Sequence, residues 1–310
     1  MDILIILAGA LALDLLLGEP PLALHPVVWM GRFTYLWEKP GFGMRPAAQF
    51  IFGMFMTLVT VALFGAAAYF ILFELRSISY AAYLVAGMAL FKCTFSLREL
   101  RRSALRIKRL LDDNKLGEAR SGLRALVKRD ARDLSEPLVV SATVESVAEN
   151  ACDSFVAPLF YFLLLGVPGA MAYRVINTLD AMIGYHGKYE YLGKLAARLD
   201  DVVNLIPSRL TALLIVLAAF LLKRNGRASW RVMVSDHART ASPNAGWPMS
   251  AAAGALGVQL EKVGHYRLGQ PAVPLVPQTI SAALRLIDLS ALLWVIICFG
   301  VSYFVTAPQT

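Results

Sequence analysis

Charged side chains are scarce in this sequence. Only 17% of its 310 residues are Asp, Glu, Lys or Arg, and 57% are hydrophobic. Soluble globular domains average about a quarter charged residues, so an ordinary soluble domain is excluded. Cysteine is also rare. Cys93, Cys152 and Cys298 are scattered and odd in number, which argues against a disulfide framework or a cysteine metal site and agrees with a reducing or membrane-buried setting.

Several common functional signatures are absent. The sequence contains no Walker-type phosphate loop, no nucleophile elbow and no HExxH motif. The basic segment from Arg98 to Arg132 has no aromatic residue that could stack on bases, so nucleic acid is not an expected partner. The N-terminal run, residues 3–17, lacks the basic start and cleavage site of a signal peptide, and we interpret it as retained structure.

Long apolar runs are present instead. Residues 47–73 exceed the ~30 Å hydrocarbon core of a bilayer at ~1.5 Å of helix per residue. We predict an all-α fold, a polytopic integral membrane helical bundle of about four to six membrane helices, in a single membrane-embedded domain over residues 1–310. Further candidate membrane runs are residues 78–95, 155–173, 205–222 and 286–305.

The basic segment is predicted to form a cytoplasmic helical hairpin over residues 97–134. Apolar positions recur at helical spacing in residues 97–111 and 117–128, and a turn-like stretch separates them. Most of the formal net charge of +8 is concentrated here. The positive-inside rule places such a segment in the cytoplasm, where it can lie beside anionic lipid.

The sequence does not decide whether residues 155–173 cross the membrane fully, because Gly166, Pro168 and Gly169 interrupt this apolar run. If this run spans the membrane fully, the polar segment 174–209 lies outside, whereas the polar segments on either side lie inside. If the run is re-entrant, all three can face the cytoplasm. Irregular backbone at membrane depth is tolerated when it is buried in protein or lines a cavity.

Three carboxylates recur every four residues in the middle of the chain. Ser135 can cap a helix that begins at Glu136 and runs toward Pro158, and this helix would place Glu145, Glu149 and Asp153 on one face. Aligned carboxylates repel one another and need a counter-cation. Mg²⁺ with a nucleotide fits, since Mg²⁺ binds one or two carboxylates plus phosphate oxygens. The alternative is a solvated acidic stripe.

Further polar groups follow this stripe. Arg174, Asn177 and Asp180 share a helical face, and Gly184 is predicted to end that helix. His186, in the loop that follows, fits an ordinary loop residue as well as a catalytic one. Ionisable groups beside lipid usually face a cavity or a partner, so this region is a candidate site. It also contains Lys188, Asp200, Asp201 and Arg209.

Two other segments combine polar residues with Gly and Pro. Residues 243–248 read as a rigid loop that leads into a helix, with His237 and Arg239 before it. The free amides of a helix N-terminus suit phosphate, although a simple turn with a helix cap explains the Pro and Gly equally well. Near the start, Asp14, His25 and Arg32 lie in residues 13–33, which alone form only a polar hinge.

Five segments in this order resemble the CobD/CbiB family of cobalamin biosynthesis, the membrane-bound adenosylcobinamide-phosphate synthases. The likeness covers nearly the whole chain, and the five segments together are specific. They read DLLLGEPPLALHPVVWMGR (14–32), VESVAENACDSFVAPLF (144–160), YRVINTLDAMIGYH (173–186), ARLDDVVNLIPSRL (197–210) and ASPNAGWPMSAAAGALGVQLEK (241–262).

The resemblance implies an amide-forming ligase. Such an enzyme would join the carboxylate of adenosylcobyric acid to (R)-1-amino-2-propanol or its O-phosphate, with ATP and Mg²⁺. Activation of the carboxylate as an acyl phosphate requires metal and cations around the transferring phosphoryl group. The implied partners are these small molecules, membrane lipid and other late cobalamin-assembly enzymes, and the implied location is the inner membrane, with multiple spans and a site that faces the cytoplasm.

The resemblance also suggests roles for the polar residues. We expect catalytic roles for Glu145, Glu149 and His186, with His186 or an unliganded carboxylate as the general base. Metal would be held by Glu145, Glu149, Asp153, Asp180, Asp200 and Asp201. Substrate or phosphate would be bound by Asp14, His25, Arg32, Arg174, Asn177, Lys188, Arg209, His237, Arg239, Ser242, Asn244 and Trp247.

Two noncatalytic alternatives stay open. One is a membrane sensor like the AmpE proteins, which resemble this family distantly, and the other is a corrinoid-binding scaffold. The density of acids at Glu145, Glu149, Asp153 and Asp180 favours the enzyme, because a sensor has little need for it. A transporter would explain broken helices and charges in the membrane, but the two halves of the chain show no obvious repeat.

Overall fold

The computed structural model describes residues 1–124, 126 and 131–306, with the side chains of residues 305 and 306 left aside. Residues 125 and 127–130 of the predicted helical hairpin lie outside this part of the chain. The chain divides into two compact units, each assembled from separate stretches of sequence. Unit 1 comprises Met1–Ser96, Ala157–Val203 and the residues from Cys298 onward, and unit 2 comprises Leu97–Val156 and Asn204–Ile297. The single domain expected over residues 1–310 stays a prediction.

Unit 1 is built from apolar helices joined by short polar connections. A 3-10 turn at Leu22–Leu24 precedes the second helix, for which His25 is the N-cap and Pro26 the first residue. Proline is favoured there because its missing N–H is not needed in the first turn. The helices are α1 Asp2–Leu16, α2 Pro26–Gly41, α3 Pro46–Ile78, α4 Tyr80–Lys92, α8 Ala157–Ile183 and α9 Lys194–Val203.

Unit 2 contains shorter helices around a core rich in alanine and valine. The last helix of the chain, α13, starts in this unit and continues past Ile297 into unit 1. The helices are α5 Leu97–Asp112, α6 Leu116–Leu123, α7 Glu136–Ala151, α10 Leu205–Leu221, α11 Gly226–Asp236, α12 Gly246–Leu256 and α13 Pro277–Thr306.

Unit 2 also contains a small antiparallel hairpin that the sequence analysis did not predict. Its strands are β1 Leu260–Lys262 and β2 Tyr266–Leu268, and Gly264 adopts φ of 76° in the turn between them. Glycine takes this backbone conformation without steric cost. Glu261 lies opposite Arg267, and the two side chains form an ion pair of 2.9 Å. This hairpin carries Tyr266 toward α7.

Several helices are long and apolar enough to cross a membrane. Within the described residues there are four of these, or five if the bent pair of α9 and α10 forms one span. The candidates are Pro46–Ile78, Tyr80–Asp112, Glu136–Ile183 and Pro277–Phe304. The length and composition of these helices suggest a membrane protein. The inner membrane, the orientation and the cytoplasmic position of α5 and α6 stay predictions.

The surface of α3 agrees with a lipid environment. Only 22% of its most apolar stretch is buried inside the protein. Large side chains such as Phe55, Phe70 and Phe73 are exposed along it. Apolar surface of this extent is unfavourable in water and suits contact with acyl chains or a partner. Threonines on the opposite side, at Thr57 and Thr60, are buried and donate hydrogen bonds to carbonyl oxygens one turn earlier.

The long helix that carries the acidic stripe differs from the prediction. Ser135 occupies the N-cap position but makes no side-chain cap, and the helix does not end at Pro158. It passes through a π-helical segment at Cys152–Val156 and continues as α8 to Ile183. Gly166 breaks the helical geometry with φ of 67°, so the interruption expected at Gly166 is confirmed as a kink. Gly184 follows the last residue of α8, as predicted.

Candidate functional site

The N-terminus of α12 lies at the end of α11, and small residues make this close packing possible. A Cβ atom at Gly246 would lie 2.0 Å from the His237 carbonyl oxygen, and one at Gly254 would lie 2.5 Å from the Ala228 carbonyl oxygen. Only glycine fits at both positions. Ser242 Oγ accepts hydrogen bonds from the amides of Asn244 and Ala245 and stabilises the turn before α12.

His237 is the C-cap residue of α11, and its ring is half-buried. Its Nδ1 lies 3.1 Å from the carbonyl oxygens of both Met233 and Val234. Because carbonyl oxygens only accept, Nδ1 must carry the hydrogen, and Nε2 of the neutral ring then keeps its lone pair. The imidazole stacks on the Trp247 indole with 3.9 Å between ring centroids. Nε2 has no hydrogen-bond partner in the described part of the chain.

Arg209 approaches the same indole from the first turns of α10. Its Cζ lies 4.8 Å from the centre of the Trp247 ring. Its Nη1 lies 2.9 Å from Leu205 O, 3.0 Å from Asn244 Oδ1 and 3.1 Å from Ser208 Oγ. Over the described residues, Nε and Nη2 donate no hydrogen bond. This edge of a guanidinium can bind a carboxylate or phosphate through two parallel hydrogen bonds.

Arg239, a predicted phosphate ligand, is engaged within unit 2. Its Nη2 lies 3.2 Å from Asp236 Oδ1, and its Nη1 donates to the carbonyl oxygen of Arg267 at 3.2 Å. Asp236 is buried and also accepts the amide of Gly269 at 2.8 Å. These contacts join the end of α11 to the β-hairpin, so Arg239 supports the position of His237.

Glu145 is held by two hydroxyl groups. The carboxylate is only 5% exposed, and it accepts hydrogen bonds from Ser141 Oγ at 2.6 Å and from Tyr266 OH at 2.8 Å. Ser141 Oγ in turn accepts the amide of Glu261 at 2.8 Å. Sequence reasoning missed Tyr266, because nothing in the hairpin sequence indicates that it contacts α7.

The other two carboxylates of the stripe are half-buried. Glu149 lies in the last turn of α7, whereas Asp153 belongs to the wider π-helical turn that follows. Segments of this kind occur often at functional sites. The Sγ atom of Cys152, in the same turn, lies 3.8 Å from Oδ1 of Asn204, the residue that precedes α10.

Three of the predicted residues meet in unit 1, between α8 and α9. Arg174 Nη1 lies 3.5 Å from Asn177 Oδ1, and Asn177 Nδ2 donates to Asp200 Oδ1 at 3.3 Å. Asp180 lies one turn beyond, where a Cβ atom at Gly184 would be 2.0 Å from its Oδ1. Asp201 pairs with Arg198 at 3.7 Å.

The loop after α8 holds the remaining predicted side chains of this region. His186 is 99% exposed, and its Nδ1 lies 2.7 Å from Glu190 Oε2. This hydrogen bond lowers the pKa of Glu190. Lys188 Nζ lies 4.0 Å from the centre of the Phe42 ring, a cation–π contact that draws it toward α2.

Asp14 and His25 belong to a buried charge cluster in unit 1. Lys92, only 4% exposed, lies 3.1 Å from Asp14 Oδ1 and 2.9 Å from Glu19 Oε1, and it donates to Phe95 O at 3.2 Å. His25 Nε2 lies 2.8 Å from Glu19 Oε2, while its Nδ1 accepts the amide of Val27 at 3.2 Å.

Sequence reasoning missed Lys92, although a lysine inside an apolar run is a recognisable signal. Burial alone raises the pKa of Glu19, but the hydrogen bonds from His25 and Lys92 and the charge of Lys92 outweigh it and lower the pKa to about 2. Arg32, on the exposed face of α2, makes no ion pair or hydrogen bond to any described side chain.

Within the described residues, no group of three or more His, Cys, Asp or Glu side chains is arranged to hold a metal ion. The predicted metal ligands therefore stay a prediction. The structure brings Arg209, Ser242, Asn244, His237 and Trp247 together in unit 2, and it brings Arg174, Asn177 and Asp200 together in unit 1.

Comparison with known proteins decides the family. A family model described as CobD/Cbib protein matches residues 7–287. The chain belongs to the CobD/CbiB family. Cobalamin biosynthesis protein CobD of Dehalococcoides mccartyi is 52% identical over 304 residues, which cover 98% of this chain and 99% of that protein.

Archaeal and other bacterial CobD proteins are also similar. Probable cobalamin biosynthesis protein CobD of Methanothermobacter thermautotrophicus is 43% identical over 96% of this chain and 97% of its own length. Cobalamin biosynthesis protein CobD of Geobacter metallireducens is 39% identical over 91% of this chain and 87% of its own length. No solved structure gives a significant match. Membership of the CobD/CbiB family supports a role in cobalamin biosynthesis.

Proposed function

We propose that this chain joins the carboxylate of adenosylcobyric acid to (R)-1-amino-2-propanol or its O-phosphate, in a reaction that consumes ATP and requires Mg²⁺. The product is adenosylcobinamide or its phosphate. The family assignment supports the pathway. The observation that supports the chemistry is Arg209, whose Nη1 is hydrogen-bonded while its Nε–Nη2 edge makes no hydrogen bond in the described chain.

A carboxylate and an ammonium group do not condense without activation. Phosphorylation of the carboxylate gives an acyl phosphate, whose carbonyl carbon an amine can attack. Transfer of the phosphoryl group places negative charge on several oxygens, and preorganised donors stabilise that charge. The open Nε–Nη2 edge of Arg209 is such a donor pair, and the guanidinium lies beside the Trp247 indole.

Glu149 and Asp153 are our proposed Mg²⁺ ligands in unit 2. Mg²⁺ usually binds through one or two carboxylates, with phosphate oxygens and water completing its shell, so a pair suffices. Bound there, the ion would neutralise charge on the transferring phosphoryl group. Glu145 stays in the proposed catalytic set, held by Ser141 and Tyr266. The roles expected for Arg174, Asp180, His186, Lys188, Asp200 and Asp201 in unit 1 stay predictions.

The test is a turnover assay of the purified full-length protein in detergent. ATP hydrolysis is measured with adenosylcobyric acid, alone and with aminopropanol or aminopropanol phosphate, and the corrinoid product is identified by its mass. We expect ATP consumption that depends on an amine, and a product whose mass is that of the two substrates joined with loss of water. Absence of ATP consumption under every condition would favour the noncatalytic sensor or scaffold.

A substitution at Arg209 tests the supporting observation. Arg209→Lys keeps the charge but removes the planar pair of donors, so we expect a KM at least about 10-fold higher for one phosphorylated substrate. Arg224→Lys, at the exposed end of the α10 segment, is the matched control and should leave KM unchanged. Equal KM values for both variants and the wild type would contradict the role of Arg209.

A further inference from the structure

We propose that His237 is the general base that accepts the proton of the attacking ammonium group, an inference that rests on the proposed amide-forming function. The sequence favoured His186 or a carboxylate for this role. The geometry points to His237, because its Nδ1 is held as a donor and because its ring contacts Trp247.

A histidine acts as a base through an unprotonated nitrogen that faces the substrate. At His237, Nδ1 donates to the carbonyl oxygens of Met233 and Val234, each 3.1 Å away. This hydrogen bond leaves the lone pair on Nε2 and fixes the plane of the ring. The same device orients catalytic and metal-binding imidazoles in general. Nε2 accepts no hydrogen bond from the described part of the chain.

The position of the ring suits the reaction. His237 stacks on Trp247 at 3.9 Å, and the guanidinium of Arg209 contacts the same indole at 4.8 Å. A base and an anion-binding edge therefore share one aromatic support. In our proposal the acyl phosphate binds at Arg209 and presents its carbonyl carbon to His237 Nε2, where the incoming ammonium must lose a proton.

The other three histidines of the chain fit the role less well. Both ring nitrogens of His25 are engaged, by Glu19 and by the amide of Val27. His186 is almost fully exposed and has only Glu190 beside it. His265 is exposed in the turn of the β-hairpin. Among the four, all of which the structure describes, His237 alone combines a fixed tautomer with an open nitrogen and a contact with the indole that Arg209 also contacts.

In the proposed step, Nε2 takes one proton from the ammonium group, and the neutral amine attacks the carbonyl carbon of the acyl phosphate. A C–N bond forms, the C–O bond to phosphate breaks, and inorganic phosphate leaves with the electron pair. The second proton of the nitrogen passes to the departing phosphate, and the histidine releases its proton to solvent.

The competing explanation is structural, because a histidine at the end of a helix also satisfies the last carbonyl oxygens. His237→Asn separates the two roles. The Asn side-chain amide lies close to the position of the Nδ1 donor and can keep the hydrogen bond to Met233 O, but it has no group at the position of Nε2. We expect a fall of about 100-fold or more in amide formation, with an unchanged melting temperature. His265→Asn, at the exposed histidine of the β-hairpin turn, is the matched control and should retain wild-type turnover.

A reaction with hydroxylamine in place of the amine distinguishes loss of the base from loss of acyl-phosphate formation. Hydroxylamine is largely unprotonated at neutral pH and needs no base. With ATP and adenosylcobyric acid, His237→Asn should form the corrinoid hydroxamate at close to the wild-type rate while amide formation stays low. A parallel loss of hydroxamate and amide would overturn the proposal and assign His237 to phosphate binding or to structure. Normal amide formation by His237→Asn would also overturn it.

If the chain does not have the proposed amide-forming function, the wild-type protein forms neither hydroxamate nor amide, whatever residue occupies position 237. A wild type that makes both products and a variant that makes only the hydroxamate would support the base and the proposed function together.

Discussion

The two units each contain a cluster of charged and polar groups, and the clusters differ in what they leave open. In unit 1, Lys92 contacts Asp14, Glu19 and a carbonyl oxygen, and His25 completes the contacts of Glu19. In unit 2, Arg209 and His237 are each held on one side, and the other side makes no hydrogen bond to the described chain.

The difference indicates two roles for such clusters, one in stabilising the packing of helices and one in binding a ligand. A cluster in which opposite charges contact one another fixes helices, here the end of α4, the end of α1 and the start of α2. A cluster with preorganised but open donors and acceptors can bind a ligand, because binding then costs little reorganisation. Substitutions in the unit 1 cluster should therefore change stability, and substitutions in the unit 2 cluster should change turnover.

The largest expected effect is at Lys92. Lys92→Met removes the buried ammonium group that lies against Asp14 and Glu19, so we expect a loss of about 3–5 kcal/mol in the free energy of unfolding. Denaturant titration in detergent micelles measures this loss. Lys194→Met, at an exposed lysine, should change stability by less than about 0.5 kcal/mol. Partial recovery in Asp14→Asn/Lys92→Met would show that loss of the ion pair between Lys92 and Asp14 is the cause. Wild-type stability of Lys92→Met would contradict a stabilising role for the unit 1 cluster.

Glu149 should give the largest effect on turnover. Glu149→Gln removes a proposed Mg²⁺ ligand, so ATP-dependent amide formation should fall by more than about 100-fold, while membrane insertion and melting temperature stay unchanged. The assay is product mass with adenosylcobyric acid and amine. Glu118→Gln, on the exposed face of α6, makes the same change of charge and should leave turnover intact. Normal turnover of Glu149→Gln would contradict the carboxylate assignment.

A smaller effect is expected at Tyr266, which supports Glu145. Tyr266→Phe removes the hydroxyl that donates to Glu145 Oε2 at 2.8 Å. We expect a loss of about 1–2 kcal/mol, seen as a fall of up to roughly 10-fold in kcat with little change in KM. Tyr191→Phe, at an exposed tyrosine, is the control. A loss of stability without any change in kcat would place Glu145 with the structural cluster instead.

The smallest effect concerns pH and Glu19. Its pKa is about 2 in the folded protein, below the ordinary value of 4.5, so the unfolded chain binds the proton more tightly. The stabilisation from Glu19 is therefore present above about pH 4.5 and is lost as the pH falls toward about 2. Melting temperatures measured across this window should decline less in Glu19→Gln than in the wild type or Glu118→Gln. Equal slopes for all three would show that His25 and Lys92 do not stabilise the ionised form.

The sequence by itself determined the helical architecture, the presence of helices long and apolar enough to cross a membrane, and the family. Apolar runs such as residues 47–73 are long enough to span a bilayer, and few other structures satisfy the backbone there. Local signals also predicted the interruption at Gly166 and the end of α8 before Gly184. The loop predicted at residues 243–248 does lead into a helix, although α12 already begins at Gly246. These features depend on residues that are close together in the sequence, so local sequence patterns are sufficient to predict them.

Tertiary structure alone decided which polar groups meet. Lys92 finds Glu19 across 73 positions, and Tyr266 finds Glu145 across 121. No local pattern encodes either contact, since each depends on how helices pack. The tautomer of His237 and the open edge of Arg209 were likewise invisible in the sequence, because they follow from carbonyl and side-chain oxygens that only the folded chain places around them.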